Sequence, residues 1–310
     1  MARVRSLASC ALCALALAAA CGASVRPGPT MALKTSSLPH SARSHVLVVV
    51  MENKEAANVL GNATAPYLSG LVRRYGLASA SYAVTHPSLP NYLALTSGST
   101  QGVTSDCTSC HFAARNLVDE LVAHGISWRA YLEGVPAPCF TGAGAGAYAR
   151  KHNPFIYYDD IAGSPQRCAG LVGFGALASD LRRGTLPTFA WITPNLCDDT
   201  HDCAVATGDR FLARTLPPIL RELGPHGFLV ITWDEGTSNA GCCGGAAAGG
   251  LVATVVAGPD VRPGAREAQA LDSYGILRTV EDALGLPPLG ASANPSSGTL
   301  APLFRRPPRV

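Results

Sequence analysis

What most limits the fold of this chain is a set of apolar runs that break off at acids or amides. Val46–Met51 reads Val-Leu-Val-Val-Val-Met and stops at Glu52-Asn53. Phe228–Trp233 stops in the same way at Asp234-Glu235, and Phe189–Thr193 runs into Pro194-Asn195. Runs this short and this uniformly apolar read as strands buried on both faces, as in a parallel sheet covered by helices. Further strands are expected at 77–84, 127–132 and 254–256, with helices at 66–75, 116–124, near 171–181, near 209–223 and 274–284. The alternation predicts an α/β fold, a mainly parallel sheet sandwiched by helices, in one domain over 45–290. The Gly-rich stretch 241–250 reads as a flexible loop, and the Pro/Ser/Gly-rich tail 291–310 as peripheral.

Ligands of open α/β sheets gather at the carboxyl ends of the strands. Three polar clusters would meet there: Glu52-Asn53, then Asp198, Asp199, His201 and Asp202, then Asp234-Glu235. Each alone is ordinary turn chemistry; together they are hard oxygen donors of the kind that suits a divalent cation. Ser88 would join them. It lies between Pro87 and Pro90, ahead of an apolar run that reads as the first turns of a helix. Backbone N–H groups at such a position welcome a phosphoryl oxygen, although a lone serine there is equally a helix cap. A cation beside its Oγ would favour the alkoxide. His86, His152 and His201 are candidates for holding phosphoryl oxygens or protonating a leaving group, with a structural hydrogen-bonding role as the alternative for each.

Composition narrows the partners. The chain has 310 residues, a formal charge of +3 and 47% hydrophobic residues, as a soluble enzyme-sized domain does. Lysine occurs only at 34, 54 and 151 among the 24 basic residues, and the arginines form no stripe in the sequence, which excludes a nucleic-acid partner. Residues 1–20 read as an export signal: Arg3 and Arg5 precede an apolar run too short to span a membrane. The sequence Ala18-Ala19-Ala20-Cys21 allows cleavage to a free extracellular protein, or lipidation of Cys21 and attachment to the cell envelope. Residues 21–44 then form a tether. Eight cysteines lie beyond the tether, an even number that favours disulfides in an exported chain. Local pairs 107–110, 139–168, 197–203 and a vicinal 242–243 are expected; zinc on Cys107-x-x-Cys110 is the alternative.

The motifs carry a resemblance. Val46–Asn53, His86-Pro87-Ser88-x-Pro90-Asn91-Tyr92, Lys151-His152-x-Pro154, Pro194-Asn195, His201-Asp202, Thr232–Glu235 and Tyr274-x-x-Leu277-x-Thr279-x-Glu281 occur in order. Over about residues 45–290 they resemble the bacterial phosphoesterase family of secreted acid phosphatases and phosphatidylcholine-type phospholipases C. The resemblance implies the alkaline phosphatase superfamily fold and a metal centre of Glu52, Asn53, Ser88, Asp234 and Glu235, with Ser88 as nucleophile. It implies that His86, His152, His201 and Asp202 line the phosphate site, and Asn91 and Asn195 count with Asp202 as substrate-binding positions. Relatives tend to carry His where this chain has Ser273.

The expected activity is a metal-dependent acid phosphatase that hydrolyses phosphomonoesters through a phosphoserine. A phospholipase C-type phosphodiesterase is the alternative, and phosphoinositide or phospholipid head groups fall within the substrate range. A serine acyl-hydrolase is disfavoured because no Gly-x-Ser-x-Gly elbow occurs. A non-catalytic binding protein that kept the fold stays conceivable because of Ser273. One divalent ion (Mg, Ca or Mn) is expected, since a second ligand set would need Asp199, His201 and a histidine beyond His226, and there is none. Protonated His86, His152 and His201 would then stand in for a second cation, with an optimum below neutral pH.

Overall fold

The computed structural model describes residues Ser44–Val310; the leader, Cys21 and the tether up to residue 43 lie outside the described residues. Nine strands form the main sheet: β1 Val46–Met51, β2 Gly76–Tyr82, β3 Trp128–Leu132, β4 Leu171–Val172, β5 Phe189–Thr193, β6 Phe228–Trp233, β7 Leu251–Ala257, β8 Arg266–Glu267 and β9 Leu271–Asp272. Their order is β8-β2-β7-β6-β1-β5-β3-β4, with β9 also on β2. Only β7 runs against its neighbours. In the middle, β1 pairs in parallel with β5 and β6, and Val48 stands level with Trp191 and Val230.

The helices that matter here are α1 Pro66–Arg74, α2 Ser88–Ser97, α3 Leu117–Ala123, α4 Phe174–Arg183, α5 Val205–Glu222 and α6 Ser273–Leu284. They explain why β1 has no polar residue. Side chains alternate across a strand, so Val46, Val48 and Val50 meet a core shared with α2, α3 and α6. Leu47, Val49 and Met51 meet a second core shared with α1, α4 and α5. The first polar side chain can appear only where the chain leaves the sheet, and that is the rim.

Several expectations need correction. The helix near 171–181 is a short edge strand, β4, followed by α4 from Phe174; the apolar start at Leu171 pairs with Ala130 of β3 instead of coiling. The 241–250 loop is pinned: the Ala248 and Gly249 N–H groups donate to the Val84 and Ala83 carbonyls at 2.9 Å each. Gly250, at φ +94°, passes so close to Gly236 that a Cβ would lie 2.8 Å from its Cα.

The tail is not peripheral. Leu300 and Leu303 are fully buried, and the Leu300 N–H donates to Thr279 Oγ1 at 2.9 Å. Buried Glu281 accepts from Leu289 N (2.9 Å) and Ser292 Oγ (2.6 Å). Its burial raises the carboxyl to about 7. These ties come from α6, and no local pattern in the tail announces them. Leu300→Ala is accordingly expected to cost about 2–5 kcal/mol in urea unfolding; a peripheral residue would change stability by less than about 0.5 kcal/mol.

The cysteines pair as 107–110, 139–168, 197–203 and 242–243, which removes the zinc alternative at Cys107 and Cys110. Arginines scattered in the sequence come together at the edge of the sheet opposite the acidic clusters. There Arg74, Arg221 and Arg305, from three separate segments, line a cleft of about 450 Å³.

Candidate active site

The hydrogen-bond ladder continues one step past the central strands. Glu52 N donates to the Asp199 carbonyl at 2.8 Å, and Asp234 N to the Met51 carbonyl at 2.9 Å. Chain segments at positions 52, 199 and 234 are thereby held side by side, with their acids on one rim. Asn53 turns the chain at φ +55°, a conformation asparagine tolerates better than most residues. Its N–H donates to Asp234 Oδ1 at 3.1 Å.

Ser88 is the first residue of α2, a helix buried along its whole length. The helix ends at Gly98, φ +68°, where a Cβ would sit 1.9 Å from the Leu289 carbonyl oxygen. Ser88 Oγ lies 3.1 Å from Glu52 Oε2 and 3.2 Å from Glu235 Oε1. Each carboxylate has its other oxygen tied elsewhere. Glu52 Oε1 accepts from the Tyr92 hydroxyl at 2.5 Å, and Glu235 Oε2 is bound to His86 Nδ1. One oxygen of each is therefore fixed in place and the other faces the serine.

The remaining groups close the site. His152 stacks on Tyr92 with ring centroids 5.5 Å apart. Its Nε2 lies 3.1 Å from Glu52 Oε1 and its Nδ1 3.2 Å from Asp199 Oδ2, without hydrogen-bond alignment for the Nε2 or Asp199 Oδ2 atoms. Asp199 Oδ1 accepts from His201 N at 2.7 Å. His201 Nδ1 is 2.6 Å from Asp202, whose own side chain is largely exposed. Asp198 turns away to pair with Arg214.

Two residues expected to contact substrate also brace the backbone. Asn91 Oδ1 accepts from Val84 N and Thr85 N, at 2.9 and 3.0 Å, while its Nδ2 donates to the Thr85 and Pro87 carbonyls, at 2.7 and 3.1 Å. Its hydrogen-bonding capacity is spent on the loop that presents Ser88. Asn195 Oδ1 likewise accepts from Cys197 N and Asp198 N, at 2.9 and 3.0 Å, shaping the turn before Asp199. Asn91→Ala is expected to lower stability by about 2–4 kcal/mol, since it orphans buried backbone groups. A raised KM with unchanged denaturant stability would restore the substrate-contact reading.

The electrostatics are those of a site short of positive charge. Burial, and then repulsion from Asp234 and Asp199, pushes Glu52 well above the usual carboxylate range. Burial raises Asp199 to about 8 and Asp234 to about 7, with neighbouring carboxylates adding to both. Asp199 Oδ2 and Asp234 Oδ2 are buried with no hydrogen-bond partner. Orphaned, crowded carboxylate oxygens are what a hard cation would satisfy, so these residues fit a divalent metal. Glu52, His152 and His201 also bring ligand atoms within 4.8 Å of one another.

The expectation of three imidazolium ions fails at His152. Burial, followed by the nearby Lys151 and His201 charges, drives its basicity well down and leaves the ring neutral. His86 is raised by Glu235 and the Ser238 carbonyl despite its burial cost, but both its nitrogens are engaged by those two groups. Tyr92, Lys151 and Asp106 are functional positions without a sequence-based role: Tyr92 and Lys151 lie inside the motifs, while Asp106 has no signal beyond its neighbour Cys107.

Comparison with known proteins agrees with this architecture. Residues 52–287 match the model of the Phosphoesterase family. The chain is 34% identical to a phosphatidylinositol-3-phosphatase of Mycobacterium tuberculosis, over 86% of this chain and 84% of that protein. It is 29% identical to a probable acid phosphatase of Kluyveromyces lactis, over 82% of this chain but only 61% of the yeast protein. A solved structure of an alkaline phosphatase superfamily protein from Vibrio parahaemolyticus superposes with a TM-score of 0.53 at 12% identity, covering 78% of this chain and 66% of that one, and so shares its fold. With the family pattern spanning the rim from Glu52 onward and a third of its residues shared with a full-length relative, the chain belongs to the phosphoesterase family.

Proposed function

We propose that the chain is a phosphoric ester hydrolase that acts on phosphomonoesters, with Ser88 as the nucleophile. The observation that carries this reading is Ser88 Oγ at a helix start between the free oxygens of Glu52 and Glu235, at 3.1 and 3.2 Å. Ser88 attacks phosphorus, its proton passes to one of those carboxylates, and the alcohol departs to leave a phosphoserine that water then hydrolyses. Tyr92 and His86 keep the two carboxylates aimed. Donors at the start of α2 accompany the charge that builds on the phosphoryl oxygens.

One divalent ion, of the hard Mg, Ca or Mn type, would be held by Glu52, Ser88, Asp234 and Glu235, with Asn53 beside them. Bound there it would supply counter-charge for the carboxylates and Lewis acidity toward a phosphoryl oxygen. The alternative trio with His152 and His201 is less suitable, because the Lys151 ammonium stands 3.2 Å from His201 Nε2 and would repel a cation.

The named activity of the mycobacterial relative extends the proposed substrates to phosphoinositide monoesters. Four disulfides support export to an oxidising compartment, with Cys21 deciding between a free and an envelope-attached form. No helix among the described residues is long and apolar enough to cross a membrane. The test is hydrolysis of p-nitrophenyl phosphate and bis-p-nitrophenyl phosphate with and without a chelator. Monoester turnover that chelation abolishes supports the reading; a preference for the diester would support the phospholipase C-type alternative, and no turnover of either would reject both.

A further inference from the structure

We propose that Lys151 supplies the fixed positive charge that binds the substrate's terminal phosphoryl group, and that it biases the site toward monoester dianions over diesters. This rests on the reading of Ser88 as a phosphoesterase nucleophile. The chain uses arginine almost throughout, with lysine at 34, 54 and 151 only. Both lysines among the described residues stand at the catalytic rim: Lys54 Nζ donates to the Thr200 carbonyl at 2.7 Å, and Lys151 Nζ lies 3.2 Å from His201 Nε2. A compact ammonium and a planar guanidinium are not interchangeable, so the choice at position 151 has chemical content.

Lys151 closes a ring of contacts that begins and ends at the nucleophile. Ser88 Oγ is 3.1 Å from Glu52 Oε2, and Glu52 Oε1 is 3.1 Å from His152 Nε2. The His152 and His201 rings lie 5.5 Å apart, and His201 leads to Lys151. Lys151 Nζ is 2.9 Å from Asp106 Oδ2, and Asp106 Oδ1 accepts at 3.0 Å from the N–H of Leu89, next to Ser88. The lysine side chain is only 21% exposed. An ammonium has three hydrogens; two are directed at Asp106 and His201, and one is left for a phosphoryl oxygen.

Charge balance leads to the same residue. A phosphate dianion approaching Glu52, Asp199, Asp234 and Glu235 needs cations around it. His86 is turned to Glu235 and Ser238. Lys54 is tied to the Thr200 carbonyl. Among the described residues, Lys151 is a cation that faces the ring beside His201. Its attraction for a dianion exceeds that for a diester monoanion by simple Coulombic scaling.

The experiment compares the full-length parent with Lys151→Met and Asp106→Asn. It reads kcat/KM on p-nitrophenyl phosphate and on bis-p-nitrophenyl phosphate, and the affinity for inorganic phosphate by titration calorimetry. Lys151→Met is expected to lose about 100-fold in kcat/KM on the monoester, to change about threefold or less on the diester, and to bind phosphate at least about tenfold more weakly. Asp106→Asn keeps an acceptor for Leu89 N and the ammonium itself, so its loss of phosphate affinity should be clearly smaller than that of Lys151→Met. Equal losses on both esters, or Asp106→Asn matching Lys151→Met, would show the lysine to be only a brace. Unchanged phosphate affinity in a folded Lys151→Met protein would likewise overturn the proposal. Absence of ester hydrolysis in the parent would reject the functional reading alone, because phosphate titration needs no turnover and still decides the role of Lys151.

Discussion

Ser88→Ala is expected to lower kcat by about ten-thousand-fold or more while the protein stays folded. Among the described residues, no other serine lies between two carboxylate oxygens at the start of a buried helix. The change removes one hydroxyl that is 1% exposed and leaves α2 without any lost cap, because its N-cap, Pro87, makes no side-chain cap bond. Its cost in stability should therefore be about 1 kcal/mol or less. The contrast with Asn91→Ala is the useful part: the asparagine variant should suffer in unfolding, the serine variant in turnover. Residual activity within about tenfold of the parent would end the assignment of Ser88 as nucleophile.

The metal-free protein should lose stability as the pH rises, and a divalent cation should restore it. Asp199 and Asp234 have folded-state values of about 8 and about 7, and Glu52 is also raised, against about 4 in an unfolded chain. Between those limits the unfolded state gives up protons that the folded state keeps. Stability is then highest below about pH 4 and falls as pH climbs through 7–8. The loss attributable to the rim is on the order of a few kcal/mol.

Groups away from the carboxylate cluster both add to the slope and oppose it. Asp272, raised to about 6, and Glu281, raised to about 7, work in the same direction away from the site. His152, held neutral, destabilises below about 6.5. The informative quantity is therefore the difference between cation-loaded and chelated melting temperatures, which should be larger at pH 8 than at pH 5. Equal differences at both pH values, or no response to Mg²⁺, Ca²⁺ or Mn²⁺, would mean that the crowded carboxylates do not share a cation.

Much of this was legible in the chain itself. A strand covered on both faces must be apolar at every position, so Val46–Met51 and Phe228–Trp233 could be read as central strands without knowing their neighbours. Their abrupt polar ends located the rim, and a serine between prolines ahead of an apolar run located the start of α2. These are local signals, carried by side-chain period and backbone chemistry over a few residues.

What only the tertiary structure decided is which polar atom meets which. Asn91 and Asn195 look like substrate contacts by type, yet Asn91 spends both its side-chain polar atoms, and Asn195 its Oδ1, on backbone groups within seven and three residues. Lys151 lies in a motif that gives it no role, and Asp106 carries no signal, until a fold brings positions 88, 106, 151 and 201 into one ring. Arginines that form no stripe in sequence share a cleft because three helix and tail ends converge at one edge, and the tail is buried because α6 offers Thr279 and Glu281 to it. Periodicity is a property of neighbours along the chain. Hydrogen-bond partnership and burial of a charge depend on contacts the fold makes, many of them between residues tens of positions or more apart, which no short window of sequence contains.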